Sequence, residues 1–305
     1  MFGFYKYYNE VESDNAIVST LKHDISSHYN NWSDLELALG KYTQNLKTSD
    51  EFDELIQDIL NNLGDYLEGI ENQIDFSLFN KEKLYKYLCN PEASLPKGDS
   101  NTIEAYKSAW VRPNWSINVV TFNYTQTFEK IINYTATNQI IGKHHQGNIV
   151  LKNIYHLHGF SDDRMIIGVN DVTQIDNKDF HSNPDILEAL VKSEYNRAMR
   201  HTVDEDVISQ ILSANLICIF GSAIGDTDNC WWELIGEQLK RDCRIIIFTK
   251  GEEFNKRFGF MKTRIERKMK EYFLNKTQLT VNEKENFANN IYIGVNSDMF
   301  SDIKF

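Results

Sequence analysis

The chain has 305 residues, of which 41% are hydrophobic and 25% are charged, and its formal net charge is −12. A chain of this length and composition buries enough apolar surface to fold unaided, which excludes an intrinsically disordered protein. The acidic balance disfavours a surface that coats nucleic acid, because neutralising phosphates requires clustered lysine and arginine.

The opening residues 1–8, MFGFYKYY, lack the basic start and the uniform apolar stretch of a signal peptide. No later run approaches the roughly 20 apolar residues that cross a membrane. We therefore expect a cytoplasmic protein with no membrane association. The cysteines stand far apart without a Cys-x-x-Cys pair, and we interpret all four as free thiols: Cys89, Cys218, Cys230 and Cys243.

Up to about residue 115 the apolar residues recur with the 3.6-residue period of helices, most clearly over residues 51–60. A polar stretch at residues 90–100 marks a boundary. We predict a mainly helical module over residues 1–100 and an α/β domain over residues 101–305, together forming one compact unit. The helical module is interpreted as a packing or partner-docking part.

After residue 115, short β-branched runs alternate with helical patterns. Strands with continuous apolar residues are buried on both faces, so the alternation predicts an α/β fold with a doubly wound, largely parallel sheet. Ligands of such sheets bind at the carboxyl ends of the strands, which directs attention to the loops after Thr121, Leu157 and Phe220. The predicted strands are residues 117–122, 149–157, 165–169, 216–220, 244–248 and 291–295, with helices at 126–134 and 231–240.

Three segments at these strand ends contain residues suited to chemistry: TFNYT at 121–125, YHLHG at 155–159 and FGSAIGDTD at 220–228. The amide of Asn123 both donates and accepts, which suits a ribose hydroxyl or a water molecule. A neutral His158 can accept a proton at physiological pH.

The third segment has features of a phosphate-binding loop. Residues Gly221 to Gly225 allow the backbone to approach a ligand closely, and the helix that follows begins with unpaired N–H groups. Asp228 is either the cap of that helix or a ligand of a ribose hydroxyl.

The order and spacing of the three segments resemble the sirtuin-like fold. The third segment, Asn123-Tyr124-Thr125 and Trp32-x-Asp34-Leu35-Glu36 together resemble the AbiH family of bacterial phage-defence proteins, over roughly residues 4 to 250. The resemblance implies a sirtuin-like, Rossmann-like domain in an antiphage abortive-infection protein that hydrolyses NAD or a related nucleotide. It places the catalytic Asn and His of sirtuin-like enzymes on Asn123 and His158. The spacing of the His and Cys residues predicts no metal. The residues expected to bind the nucleotide are Thr121, Tyr124, Gly221, Ser222, Gly225, Asp226 and Asp228.

Other interpretations stay open. Asn123 also suits a turn bonded to its own backbone, and His158 also suits a satisfied strand-end histidine. The pair His156-x-His158, with Asp162 or Asp171, would suit a metal, although no second His or Cys pair has ligand spacing. The alternative function is a catalytically silent nucleotide-binding or protein-interaction module of a phage-defence system. Its expected partners are a phage-derived or operon-encoded protein or a second copy of the chain.

The start of the sequence differs from the family pattern. AbiH-like chains open with a strand and a Gly-Asn-Gly-Phe-Asp type loop, which would supply the first phosphate-facing turn. This sequence has neither, and residues 4–8 resemble the helix that should follow that loop. We favour a start codon assigned too late over a rearranged sheet or an edge supplied by another chain. A true absence of the loop would weaken NAD binding.

Overall fold

A computed structural model describes residues 2–13, 15–28, 32–110, 114–252 and 256–298. The fold is mixed α/β, with helices through the first third and two small sheets after it. None of the described helices is long and apolar enough to cross a membrane. The helices are α1 Phe2–Glu10, α2 Ala16–His28, α3 Trp32–Tyr42, α4 Ser49–Glu71, α5 Lys81–Cys89, α6 Lys97–Ala109, α7 Thr127–Ile132, α8 Pro184–Leu190, α9 Lys192–Ala198, α10 Val203–Ser213, α11 Asn229–Glu237, α12 Phe260–Asn275 and α13 Val281–Phe287.

Helix α4 confirms the helical pattern predicted over residues 51–60. The side chain of Thr48 accepts a hydrogen bond from the backbone N–H of Glu51, which caps the helix and explains why it begins at Ser49. One face carries the apolar residues at helical spacing and is buried. The buried residues on this face are Phe52, Leu55, Ile56, Ile59 and Leu63.

The core formed by the N-terminal helices extends beyond residue 100. Apolar residues of α1 to α4 form one buried cluster with residues from the stretch 165–191. The division into a module over residues 1–100 and a domain over 101–305 remains a prediction, and a single hydrophobic core crosses that boundary. Members from the later stretch include Ile167, Val169, Ile175, Phe180, Ile186 and Leu190.

The described strands form two three-stranded sheets. In the first, β1 (Trp115–Thr121) and β2 (Gln139–His144) flank β3 (Gly147–His156), β1 in parallel and β2 antiparallel. In the second, β4 (Leu216–Phe220), β5 (Arg244–Thr249) and β6 (Ile291–Val295) are all parallel and lie in that order. Strands β4 and β6 have the predicted bounds. Strand β2 was not predicted because it is a short, half-exposed edge with a glycine in it.

The prediction of a strand at residues 165–169 is wrong. The stretch makes only one isolated bridge, between Val169 and Val191. Its apolar character has another cause, because Ile166, Ile167 and Val169 are all buried within the core. A buried irregular segment and a buried strand give the same apolar run.

A single doubly wound sheet is not confirmed, since the described strands divide into two sheets. The two sheets nevertheless share one buried cluster, which includes Ile219 of the second sheet and against which Val120 and Tyr155 of the first sheet pack. Apolar contact of this kind brings the ends of β1, β3 and β4 into one region of the molecule.

Candidate functional site

The three strand-end segments meet around His158. Its Nε2 atom lies 3.0 Å from Oδ1 of Asp228, which ends the third segment. The imidazole also packs edge-on against Phe122, with ring centroids 5.1 Å apart, and lies 6.1 Å from the ring of Tyr124. Since Phe122 and Tyr124 flank Asn123 in the chain, the loop that carries Asn123 lies against His158.

His158 uses only one of its ring nitrogens within the described residues. The side chain is buried, and Nε2 makes the hydrogen bond to Asp228. When Nε2–H donates to this carboxylate, the Nδ1 atom carries the lone pair. No hydrogen bond among the described residues occupies Nδ1. The arrangement is that of a base oriented by a carboxylate.

Asn123 is held through its backbone, and its side chain is available. Its backbone N–H donates to Oγ1 of Thr121 at 3.0 Å, and its carbonyl accepts from Nδ1 of His156 at 3.1 Å. The side chain is exposed, and its amide makes no hydrogen bond with the part of the chain that the structure describes. A turn residue bonded to its own backbone would have used that amide, so the geometry leaves it for a ligand.

His156 acts as a structural support for this loop. It is 4% exposed, and its Nε2 atom lies 2.5 Å from Oε1 of Glu129 on α7. Because Nδ1 of His156 bonds the backbone carbonyl of Asn123, both ring nitrogens face protein acceptors. Within the described residues no group of three or more His, Cys, Asp or Glu side chains is placed to hold a metal ion. The geometry thus gives no support to a site built on His156 and His158.

Asp228 occupies the position before α11, but its side chain makes no capping hydrogen bond. The interpretation as a plain helix cap is therefore wrong. Its Oδ1 atom instead binds both His158 and the ammonium of Lys192, the latter at 2.8 Å. Burial alone would raise the pKa of Asp228, but the Lys192 ammonium and the hydrogen bonds from His158 and Lys192 outweigh it and hold that pKa well below its usual range. Asp228 is therefore ionised at neutral pH.

A buried ion pair behind Asp228 was missed by the sequence analysis. The Nζ atom of Lys192 lies 3.0 Å from Oε1 and 3.1 Å from Oε2 of Glu36, a residue of α3 that is 1% exposed. Glu36 also accepts hydrogen bonds from Oγ1 of Thr227 and from the backbone N–H of Gly168. Burial, aided by the nearby Asp228, raises the pKa of Glu36 above its ordinary value, although Lys192 and His158 oppose this effect. The sequence signal was a lone glutamate within the apolar run of residues 35–39.

The loop from Gly221 to Gly225, predicted to bind a phosphate, contains two residues with left-handed backbone conformation. Gly221 has a φ of +66°, and Ile224, a β-branched residue, has a φ of +52°, which is a strained conformation for its type. The hydroxyl of Tyr272 donates to the carbonyls of Ala223 and Ile224. The N–H groups of Gly221, Ser222 and Ala223 make no hydrogen bond with described residues, so these donors are available to a ligand.

The remaining predicted ligands differ in their availability, and their roles stay predictions. Tyr124 is 7% exposed and its hydroxyl donates to the carbonyl of Ile166 at 2.8 Å, which places it in the core. Oγ of Ser222 accepts from the N–H of Ile224. Asp226 is exposed, forms an ion pair with Lys276 and lines an open polar cavity of about 480 Å³.

The corner that carries His158 is shaped by two residues that sequence reasoning did not assign. Gly159 has a φ of +75°, and a Cβ atom there would lie 1.8 Å from the carbonyl oxygen of Arg164. The Arg164 guanidinium donates to the carbonyls of His156 at 2.5 Å and Leu157 at 3.2 Å. Only glycine fits this close approach, so Gly159 and Arg164 fix where β3 ends.

Comparisons with known proteins bear on the family of this chain. No curated protein and no solved structure gives a significant match. The family model described as bacteriophage abortive infection AbiH matches residues 2–249. That span includes the loop of Asn123, the corner of His158, the Gly221 to Asp228 loop and both members of the Glu36–Lys192 pair. The chain therefore belongs to the AbiH family of bacteriophage abortive infection proteins.

Proposed function

We propose that the protein hydrolyses the nicotinamide–ribose bond of NAD, or the corresponding bond of a related nucleotide, as its abortive-infection activity. Loss of host NAD would stop phage production. The observation that carries the proposal is the Asp228–His158 pair, whose Nδ1 atom is unused, beside the loop that presents the amide of Asn123. We place the activity in the cytoplasm, where NAD is available.

In the proposed reaction, Asn123 orients a water molecule beside the anomeric carbon of the ribose. The Nδ1 atom of His158 takes a proton from a ribose hydroxyl, which stabilises the positive charge that develops at the anomeric carbon. The bond between that carbon and the nicotinamide nitrogen breaks, and its electron pair leaves with nicotinamide. Water adds its oxygen to the carbon and releases a proton to solvent, and His158 returns its proton to the ribose oxygen, which gives ADP-ribose and restores the base.

The free N–H groups of Gly221, Ser222 and Ala223 support binding of the pyrophosphate in this proposal. A doubly wound, sirtuin-like arrangement is part of the proposal as well. In the described residues β1 and β4 each have one unpaired edge, and their side chains pack in one cluster. The two sheets would then be halves of one layer.

The test is to incubate purified protein with NAD and to follow nicotinamide release by chromatography. We expect turnover by the wild type, and losses of about 100-fold or more in Asn123→Ala and His158→Ala. Exposed residues outside the site provide matched controls, Asn101→Ala and His201→Ala, which we expect to stay within about twofold. No turnover by the wild type under any activating condition, or turnover unaffected by both site changes, would contradict the proposal.

The alternative function is tested by measuring NAD binding on the same purified protein. Calorimetric binding of NAD or ADP-ribose without turnover would indicate a catalytically silent nucleotide-binding module. The helical part would then serve to dock a phage-derived or operon-encoded protein, or a second copy of the chain.

A further inference from the structure

The buried pair of Lys192 and Glu36 has no role in the reaction proposed above, yet it touches the residue that orients the base. Oδ1 of Asp228 receives both Nε2 of His158 at 3.0 Å and Nζ of Lys192 at 2.8 Å. The ammonium and the imidazole therefore compete for the negative charge of a single oxygen atom.

We infer that Lys192 is a positioning residue that keeps His158 neutral, with its proton on Nε2 and its Nδ1 lone pair available. The inference rests on the proposed function only in naming His158 as the base. A carboxylate alone would favour the doubly protonated imidazolium, which has no lone pair to accept a proton. The positive charge of Lys192 on the same oxygen reduces that effect.

Glu36 balances the charge of Lys192 and also interacts electrostatically with His158, so the effect of Lys192 is measured against a variant that already lacks the Glu36 charge. Glu36 binds Nζ of Lys192 through both carboxylate oxygens, and it has no hydrogen bond to His158 within the described residues. Because Glu36 belongs to α3, the N-terminal helices supply part of the charge that surrounds the base.

A second carboxylate lies near His158. Asp204 on α10 interacts electrostatically with His158, and it is held by Asn196 and by the nearby Arg164. Neither of these contacts involves Lys192. A change at Lys192 therefore leaves the Asp204 side of the imidazole in place.

The variants separate positioning from stability. Lys192→Met alone leaves Glu36 buried without a counter-charge, so the variant can fail to fold. The double variant Glu36→Gln/Lys192→Met removes both charges at similar side-chain volume. Glu36→Gln alone is the matched control, because the oxygen of the amide can still accept from Lys192 and Lys192 stays on Asp228.

The measurement is a long-range ¹H–¹⁵N NMR correlation on histidine-labelled protein, with His158→Gln used to assign the resonance. In wild type and Glu36→Gln we expect a neutral ring with the proton on Nε2 at pH 7. In the double variant we expect the neutral fraction to fall at least twofold and NAD turnover to fall about tenfold or more, although its melting temperature matches that of Glu36→Gln.

A double variant that keeps the wild-type NMR signature would overturn the inference, because Lys192 would then serve stability alone. The readouts also separate the two proposals. An altered His158 signal in a protein that never releases nicotinamide would leave the positioning role intact and remove the NAD hydrolase. NAD turnover together with an unchanged His158 signal would leave the NAD hydrolase intact and remove the positioning role.

Discussion

At the scale of single residues, the site depends on side chains whose neighbours are remote in sequence. Strand-end positions directed attention to Asn123 and His158, the resemblance to sirtuin-like proteins paired them, and the structure brings their loops together. For Asp228, the sequence left two roles open, a helix cap and a ligand of a ribose hydroxyl. Its actual partners, His158 and Lys192, lie 70 and 36 residues away. No local pattern encodes contacts of that kind.

Asp228→Asn should reduce the free energy of unfolding by about 2 kcal/mol at neutral pH, because a buried network loses its charged acceptor. The pKa of Asp228 is lowered in the folded state from an ordinary value of 3.8. Its stabilising effect is therefore complete above that value and is lost as the pH falls through the folded pKa. The free energies of unfolding of wild type and variant, measured in urea, should differ most near pH 7 and should begin to converge only as the pH falls below about 4. A difference that grows on acidification would contradict this assignment.

Gly159→Ala should destabilise the protein by about 3 kcal/mol. A positive φ costs a non-glycine residue roughly 1–2 kcal/mol, and the new Cβ would in addition lie 1.8 Å from the carbonyl oxygen of Arg164. Gly221→Ala is the matched control. Its φ of +66° is similar, but nothing lies within 4 Å of the added Cβ, so only the conformational cost of about 1–2 kcal/mol applies. Equal losses in chemical denaturation would show that the close approach at Gly159 is not limiting.

At the scale of elements, periodicity predicted what burial on one side produces. The apolar stripe of α4 and the continuous apolar strands β4, β5 and β6 were readable because their neighbours cover them regularly. Residues 165–169 are equally apolar but lie in an irregular buried segment, and β2 is a strand with little apolar signal. Sequence patterns report burial, and they report secondary structure only where burial is regular.

Leu55→Ala on α4 should lower the free energy of unfolding by about 2–5 kcal/mol, because it removes a side chain that is 1% exposed and leaves a cavity in the core. Leu78→Ala provides the same chemical change at a position that is 81% exposed, and we expect an effect within about 0.5 kcal/mol. Thermal and urea unfolding of the two variants give the comparison. Similar losses would mean that the stripe of α4 is not packed as described.

At the scale of the whole molecule, the sequence predicted an α/β protein with helices first, and it placed the family correctly. The arrangement of the strands in two sheets could not be predicted from the sequence, because tertiary contacts rather than strand propensity determine which strands pair. One compact unit was predicted, but the contacts that join its two parts were not. Glu36 of α3 reaches the ammonium of Lys192, and the core of α1 to α4 includes Ile167 and Leu190.

This link leads to a prediction about the separate parts. A fragment of residues 101–305 would lose the helices that cover Ile167, Val169 and Leu190, and Lys192 would lose Glu36. We expect the fragment to bind the dye ANS and to lack a cooperative thermal transition, because its exposed apolar surface is no longer compensated by packing. The full chain, unfolded under the same conditions, is the control. A fragment that melts cooperatively and stays monomeric would show instead that the two parts are independent domains, and that the N-terminal helices only dock on a finished site.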